Sequence, residues 1–117
     1  MIYKTNTQNE FYTEERCFIT EILNNADVPH LSVARARVEP GITTALHRLN
    51  ADELYYILEG RGQVEIGGSN PQPVEKGDLA RIPAGASQRI KNTGEGPLLF
   101  LCICAPRFTE EGYTALD

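Results

Sequence analysis

The spacing of glycine and proline restricts this chain to short extended runs. From residue 40 onward, turn signals recur every few residues. They fall at Pro40-Gly41, Gly60-Arg61-Gly62, Gly67 to Pro71, Gly77-Asp78, Pro83-Ala84-Gly85 and Asn92 to Pro97. Glycine supplies positive φ at such points, proline presets φ, and Asn or Asp side chains bond their own backbone. The runs between them are rich in β-branched and aromatic residues. No helix longer than a turn or two fits, and no internal repeat of roughly 20–50 residues is present. Many short strands between turns imply an all-β sandwich or barrel.

Taken in order, residues 1–15 are polar and broken, which predicts an extended arm or edge strand. Residues 16–24 read as the first solid strand. In residues 31–39, Ala34, Ala36 and Val38 share one face while Arg35, Arg37 and Glu39 share the other. Small residues on one face suit the inside of a narrow barrel. The run from Glu53 to Glu59 puts Glu53, Tyr55 and Ile57 on one face and Leu54, Tyr56 and Leu58 on the other. Apolar residues on both faces predict a strand sandwiched between two layers. Gln63 to Ile66 is its return strand, and Pro73 to Glu75 is a short edge segment. Residues 78–82 form a strand that ends at Pro83. In the next one, Gln88, Ile90 and Asn92 share a face. Leu98 to Cys104 reads as a fully buried strand. The tail after Pro106 is not a barrel strand; Thr109 can cap a single helical turn. Phe108 and Tyr113 are the anchors expected to fold the tail back over the barrel.

Two spaced motifs stand out in these strands. Gly41, His47, Glu53 and Gly60 form G-x5-H-x5-E-x6-G over residues 41–60. Gly77, Pro83, Gly85, Gln88 and Asn92 form G-x5-P-x-G-x2-Q-x3-N over residues 77–92. The chain thereby resembles the small single-domain cupins, whose two motifs carry these spacings. It departs from them at two metal-ligand histidines: Leu49 replaces the second histidine of the first motif, and Gln88 replaces the histidine of the second. The resemblance implies a cupin double-stranded β-helix, a jelly-roll barrel, as one domain over residues 1–117, with a short N-terminal arm and a C-terminal tail.

The resemblance also implies a site. In cupins the motif histidines and glutamate hold a metal such as Fe, Mn, Ni, Zn or Cu. Here His47, Glu53 and Gln88 inherit those positions, Gln88 offering only a neutral carbonyl oxygen. One divalent transition ion with water at its open positions is one reading. A metal-free cavity for a sugar or organic acid is the second, with the polar side chains as hydrogen-bond partners. In it His47 and Glu53 form a charge-coupled pair able to act as a general base. A third has the three side chains simply satisfying one another in a polar core. If Glu53 points inward, Tyr55 and Ile57 line the same cavity, and Asn92 joins them as a candidate substrate contact. The function is open between a catalyst acting on a small molecule and a binding module without catalysis. His30 reads as a surface or turn residue. Arg48, Arg81 and Arg89 flank the motifs and read as solvated charges, and Asp78 as a turn residue bonding its own backbone.

Composition narrows the partners. The formal net charge is −5, with no Lys/Arg block, which argues against nucleic acid. No apolar run reaches the ~18 residues of a membrane span. The N-terminus lacks the apolar segment of a signal peptide, so the cytoplasm is the expected location. Three cysteines make no disulfide framework. Cys102 and Cys104 share one strand face and read as small buried hydrophobes. The apolar face of Leu54, Tyr56 and Leu58, with the N-terminal arm, predicts a homodimer.

Overall fold

The computed structural model describes all residues, Met1–Asp117. Eleven strands follow in order: β1 (Phe11–Tyr12), β2 (Phe18–Leu23), β3 (Ser32–Val38), β4 (His47–Leu49), β5 (Asp52–Glu59), β6 (Arg61–Ile66), β7 (Gln72–Glu75), β8 (Leu79–Ile82), β9 (Ser87–Asn92), β10 (Leu98–Ala105) and β11 (Tyr113–Ala115). Two single-turn 3-10 helices, Thr7–Asn9 and Glu110–Gly112, are the only helical pieces. No helix is long and apolar enough to cross a membrane.

The strands form two antiparallel sheets. The first runs β1-β2-β3-β10-β5-β8 and the second β11-β4-β9-β6-β7. Facing each other, they make the double-stranded β-helix. Alternation decides which side chains face the space between them. Val38, Ile57, Val64, Ile82, Ile90, Leu98 and Phe100 are buried there as one cluster.

Glycine works hardest at the β5–β6 turn. Gly60 has φ +89°, and a Cβ built on it would lie 2.6 Å from the Pro97 carbonyl oxygen. Only a residue without a side chain lets this hairpin press against the start of β10. The turn residues of both motifs thus set strand ends, which in turn place the side chains of the site.

Three expectations need correction. The tail does add a strand: β11 pairs with β4, Tyr113 opposite Leu49 and Ala115 opposite His47. Tail strands are hard to see in sequence because their pairing covers an otherwise open sheet edge and needs no pattern of its own. Thr109 accepts the Gly112 N–H at 3.3 Å and caps the short turn before it. The outer face of β5 is not covered by a second layer, since Tyr56 is 40% exposed and Leu54 and Leu58 are only partly buried; the N-terminal arm, by contrast, supplies the expected edge strand, β1 paired to β2, with Glu10 bonded to Arg37 at 2.7 Å and Arg35 at 3.5 Å. Finally, β10 is not buried on both faces. Leu98, Phe100 and Cys104 are buried, while Leu99, Leu101 and Ile103 on the outer face are only partly covered.

Candidate functional site

Beside the packed cluster, and sharing Cys17, Ala36, Tyr55 and Phe100 with it, lies a cavity of about 160 Å³. His47, Leu49, Glu53 and Tyr55 line it, joined by Glu15, Phe11 and Phe108 from the two chain termini. The motifs explain the first four. His47 and Leu49 alternate inward on β4, and Glu53 and Tyr55 alternate inward on β5. His47 sits directly opposite Gln88 across the β4–β9 pair, so the two motifs meet at one level of the barrel.

His47 is buried and its orientation is set. Its Nδ1 lies 2.9 Å from the Ala45 carbonyl oxygen and 3.1 Å from Glu15 Oε2. Both neighbours are acceptors, so Nδ1 carries a proton, and in the neutral tautomer the lone pair lies at Nε2. The ring stacks on Tyr113, with centroids 5.0 Å apart and planes 19° apart. The C-terminal tail therefore forms part of the wall behind the imidazole.

The carboxylate paired with His47 is Glu15, not Glu53. Glu15 lies in the arm that read as polar and irregular. Its carbonyl accepts the Ala45 N–H at 3.1 Å, and the Arg16 Nε donates to the Thr43 carbonyl at 2.9 Å. Arg16 itself takes a left-handed conformation with φ +68°. These contacts bind the arm across the barrel mouth and turn Glu15 inward. Burial raises the Glu15 pKa, and the His47 charge works against that rise. Nothing in the local run Thr13-Glu14-Glu15-Arg16 marks one glutamate over its neighbour.

Glu53 is 5% exposed. Burial pushes its pKa up to about 7; the Cys104 thiol opposes the rise, and the Glu15 charge adds to it. The Cys104 Sγ–H donates to Oε2 at 3.5 Å. Oε1 has no hydrogen-bond partner at all. The Gln88 amide and Cys102 thiol are near enough to favour the charged form slightly, yet neither bonds Oε1. A buried carboxyl oxygen without a partner is costly.

Gln88 is 1% exposed, and its Oε1 accepts the Tyr55 hydroxyl from the opposite sheet. That bond spans the barrel and fixes the Tyr55 side chain, which lines the cavity, while Gln88 itself lies outside the lining. The Tyr55 ring packs against Phe100 at 4.7 Å between centroids.

Ile57 and Asn92 are placed elsewhere. Each lies four residues beyond a site residue on its strand, which is roughly 13 Å at the usual strand rise. Ile57 is in the packed cluster with Val38 and Ile82. Asn92 is wholly buried: its Nδ2 donates to the Val38 carbonyl at 2.8 Å and the Gly96 carbonyl at 2.9 Å, and its Oδ1 accepts the Gly94 N–H at 2.9 Å. Shared strand face did not mean shared cavity, because the cavity is shorter than the strands.

All three cysteines line the cavity. Burial pushes the Cys17 thiol up to about 11 and raises Cys102 and Cys104 as well. They are neutral thiols and act as small apolar wall residues.

The donor set does not fit the transition ion that the motif resemblance implies. Leu49 is an apolar wall, the Gln88 oxygen already accepts the Tyr55 hydroxyl, and His47 Nδ1 faces Ala45 and Glu15. Of the motif positions that leaves His47 Nε2 and a Glu53 oxygen, and burial keeps the cavity cysteines as neutral thiols, whereas such ions take about four ligands in protein sites. No group of three or more His, Cys, Asp or Glu side chains is clustered to hold a metal.

Residues 34–104, well over half of the chain and including both motifs, match the Cupin domain family. The chain belongs to the cupin family. An uncharacterized protein of Methanocaldococcus jannaschii is 38% identical to this cupin over 87 residues, covering 74% of the chain and 69% of that protein. The solved structure of Streptomyces Pac13, called a unique nucleoside dehydratase, is similar with a TM-score of 0.80 at 19% identity, covering 100% of this chain and 92% of that one. Oxalate decarboxylase from Bacillus subtilis gives a TM-score of 0.81 at 23% identity over 99% of this cupin, which spans 33% of that chain. At these identities the structural likenesses establish the double-stranded β-helix and nothing finer.

Proposed function

We propose that this cupin binds a small polar molecule in its barrel cavity and catalyses a proton-transfer reaction on it, an elimination of water or an isomerisation, without a metal. The observation that carries the reading is Glu53, a buried carboxyl with one unpartnered oxygen. It shares a cavity with a histidine whose Nδ1 is already committed.

Elimination and isomerisation both need a base to remove a proton from carbon and an acid to protonate oxygen. His47 Nε2 is the base. As it takes a proton, the charge developing on the ring faces the Glu15 carboxylate across Nδ1, the role an orienting carboxylate plays for a catalytic histidine. Glu53, raised to about 7, keeps a substantial protonated fraction near neutral pH and is the acid. Tyr55 lines the cavity against which the substrate rests, and Gln88 holds its hydroxyl from behind. The name of Pac13, a nucleoside dehydratase on the same fold, agrees with this reaction class without identifying the substrate.

The test is solvent deuterium exchange. Chelator-treated protein in D2O is mixed with a panel of hydroxy ketones, hydroxy aldehydes and cyclic hydroxy compounds, and exchange at carbon or loss of water is followed by proton NMR. Wild type is expected to act on at least one of them, and His47→Gln and Glu53→Gln are expected to lose that activity. Activity lost with the chelator and restored by Fe, Mn, Ni, Zn or Cu would overturn the metal-free reading. Saturable binding with no exchange would leave the second reading, a metabolite-binding module, which the apolar walls of the cavity also suit.

A further inference from the structure

The cavity has a charge balance that no single motif residue reveals. Three carboxyl groups line it: Glu15, Glu21 and Glu53. No lysine or arginine does. Every arginine near the barrel is engaged or turned away. Arg35 and Arg37 bond Glu10, Arg89 bonds Glu65, and Arg107 donates to Asn24. Arg16 donates to the Thr43 carbonyl, while Arg48, Arg61 and Arg81 are exposed on outer faces. His47 can carry a positive charge, but the Glu15 carboxylate 3.1 Å away already matches it.

The walls are mostly apolar. Phe11, Phe100, Phe108 and the Tyr55 ring surround the polar edge made by His47 and Glu53. The volume, about 160 Å³, is close to that of an engineered apolar cavity of about 150 Å³ that takes up benzene. A ring of six atoms with one or two polar substituents fills such a space.

We infer that the cavity selects an uncharged, ring-sized molecule bearing a hydroxyl or carbonyl group, and turns away carboxylates and phosphates. This rests on the reading of the cavity as the functional site and narrows its substrate class. An anion entering the cavity would give up its water, find no unmatched cation, and meet carboxyl groups in a poorly screened interior. An ammonium fares better than an anion but still worse than an alcohol. It too must be dehydrated, and the carboxylate nearest His47 is already paired. A hydroxyl can accept from protonated Glu53 and donate to His47 Nε2, which meets the need of the orphaned carboxyl group. The sugar acids and phosphorylated sugars that many small barrels could hold are excluded by this lining.

The test uses three molecules of nearly one shape: benzyl alcohol, benzoate and benzylammonium. The full chain contains only two histidines, His30 and His47. His30 is exposed in a turn outside the cavity, so the two ring C2–H resonances report the cavity and the surface separately. At pH 7, benzyl alcohol is expected to shift His47 saturably and leave His30 unmoved, with benzoate and benzylammonium each weaker by about tenfold or more. Glu21→Gln takes one carboxyl group out of the lining without touching His47 or Glu53, and is expected to keep alcohol binding and narrow the gap to benzoate. Benzoate or benzylammonium binding as tightly as the alcohol overturns the inference, as does failure of all three to move His47. The catalytic reading fails separately. Selective alcohol binding with no exchange chemistry on any substrate sinks the reaction and leaves the selectivity standing. Turnover of a carboxylate does the reverse.

Discussion

Glu53 titrates near its ordinary 4.5 when the chain is unfolded and near 7 when burial in the barrel raises it. Between those values the native state binds more protons than the unfolded state. Stability is therefore greatest at mildly acid pH and falls as pH rises through 7, by about 3 kcal/mol for a displacement of that size. Glu15 is raised too and acts in the same direction. Urea melts from pH 5 to 8 should show this decline in the wild type. Glu53→Gln should flatten most of it and leave the variant more stable at pH 8 by about 1–3 kcal/mol; an unchanged slope would refute the buried-carboxyl assignment. In the enzyme reading, turnover should fall above pH 7 as the acid deprotonates. Glu15→Gln should test the positioning role. It should lower kcat with little change in KM, and alter the basic nitrogen's tautomer signature in nitrogen-15 NMR of His47.

At the scale of the strand, β5 and β9 each divide into a chemical end and a structural end. Glu53 lines the site and Gln88 holds the Tyr55 hydroxyl beside it, while Ile57 and Asn92 face the packed cluster and the β9–β10 turn. Asn92→Ala removes three buried hydrogen bonds and leaves two carbonyls and an N–H without that partner. It should cost about 2–4 kcal/mol in urea melts while leaving benzyl alcohol affinity unchanged. A loss of affinity at constant stability would return Asn92 to the binding site. The β5–β6 turn is equally demanding. Gly60→Ala places a methyl group 2.6 Å from the Pro97 carbonyl oxygen on backbone at φ +89°. Its expected cost is about 2–3 kcal/mol, seen as a lower urea midpoint with an unchanged m-value.

For the whole molecule, the outer face of the first sheet is the feature that remains without a partner. Leu54, Tyr56 and Leu58 of β5 lie beside Leu99, Leu101 and Ile103 of β10, and Leu79 of β8 sits opposite Tyr56. Tyr56 is 40% exposed and Leu79 58%. A contiguous apolar face of this kind is covered in most proteins that carry one. A second copy meeting it about a two-fold axis would lay identical apolar strips together. Light scattering should give twice the 13.0 kDa chain mass, and Tyr56→Glu with Leu79→Glu should give the monomer. A wild-type monomer at micromolar concentration would leave this face unexplained by self-association.

Period-two alternation and turn chemistry made the strands readable, because both act through neighbours in the chain. The inward direction of His47, Glu53, Tyr55 and Gln88 follows from that local rule. So do the turns at Gly41, Gly60, Gly77 and Gly85, all at positive φ. The level of each residue along the barrel axis is not local. Ile57 and Asn92 obey the same alternation and still miss the cavity, since its depth depends on where the two sheets converge. The histidine's partner was hidden for a similar reason. Glu15 is 32 residues away in the chain and reaches His47 only because the arm is bonded across the mouth to Thr43 and Ala45. The amino-acid sequence by itself determined the all-β barrel and the meeting of its two motifs, because strand register and turn geometry are specified by residues a few positions apart. Only the tertiary structure decided which carboxylate serves His47, which carboxyl group is left without a partner and what charge the cavity offers. Those properties depend on burial and on contacts between segments distant in the chain.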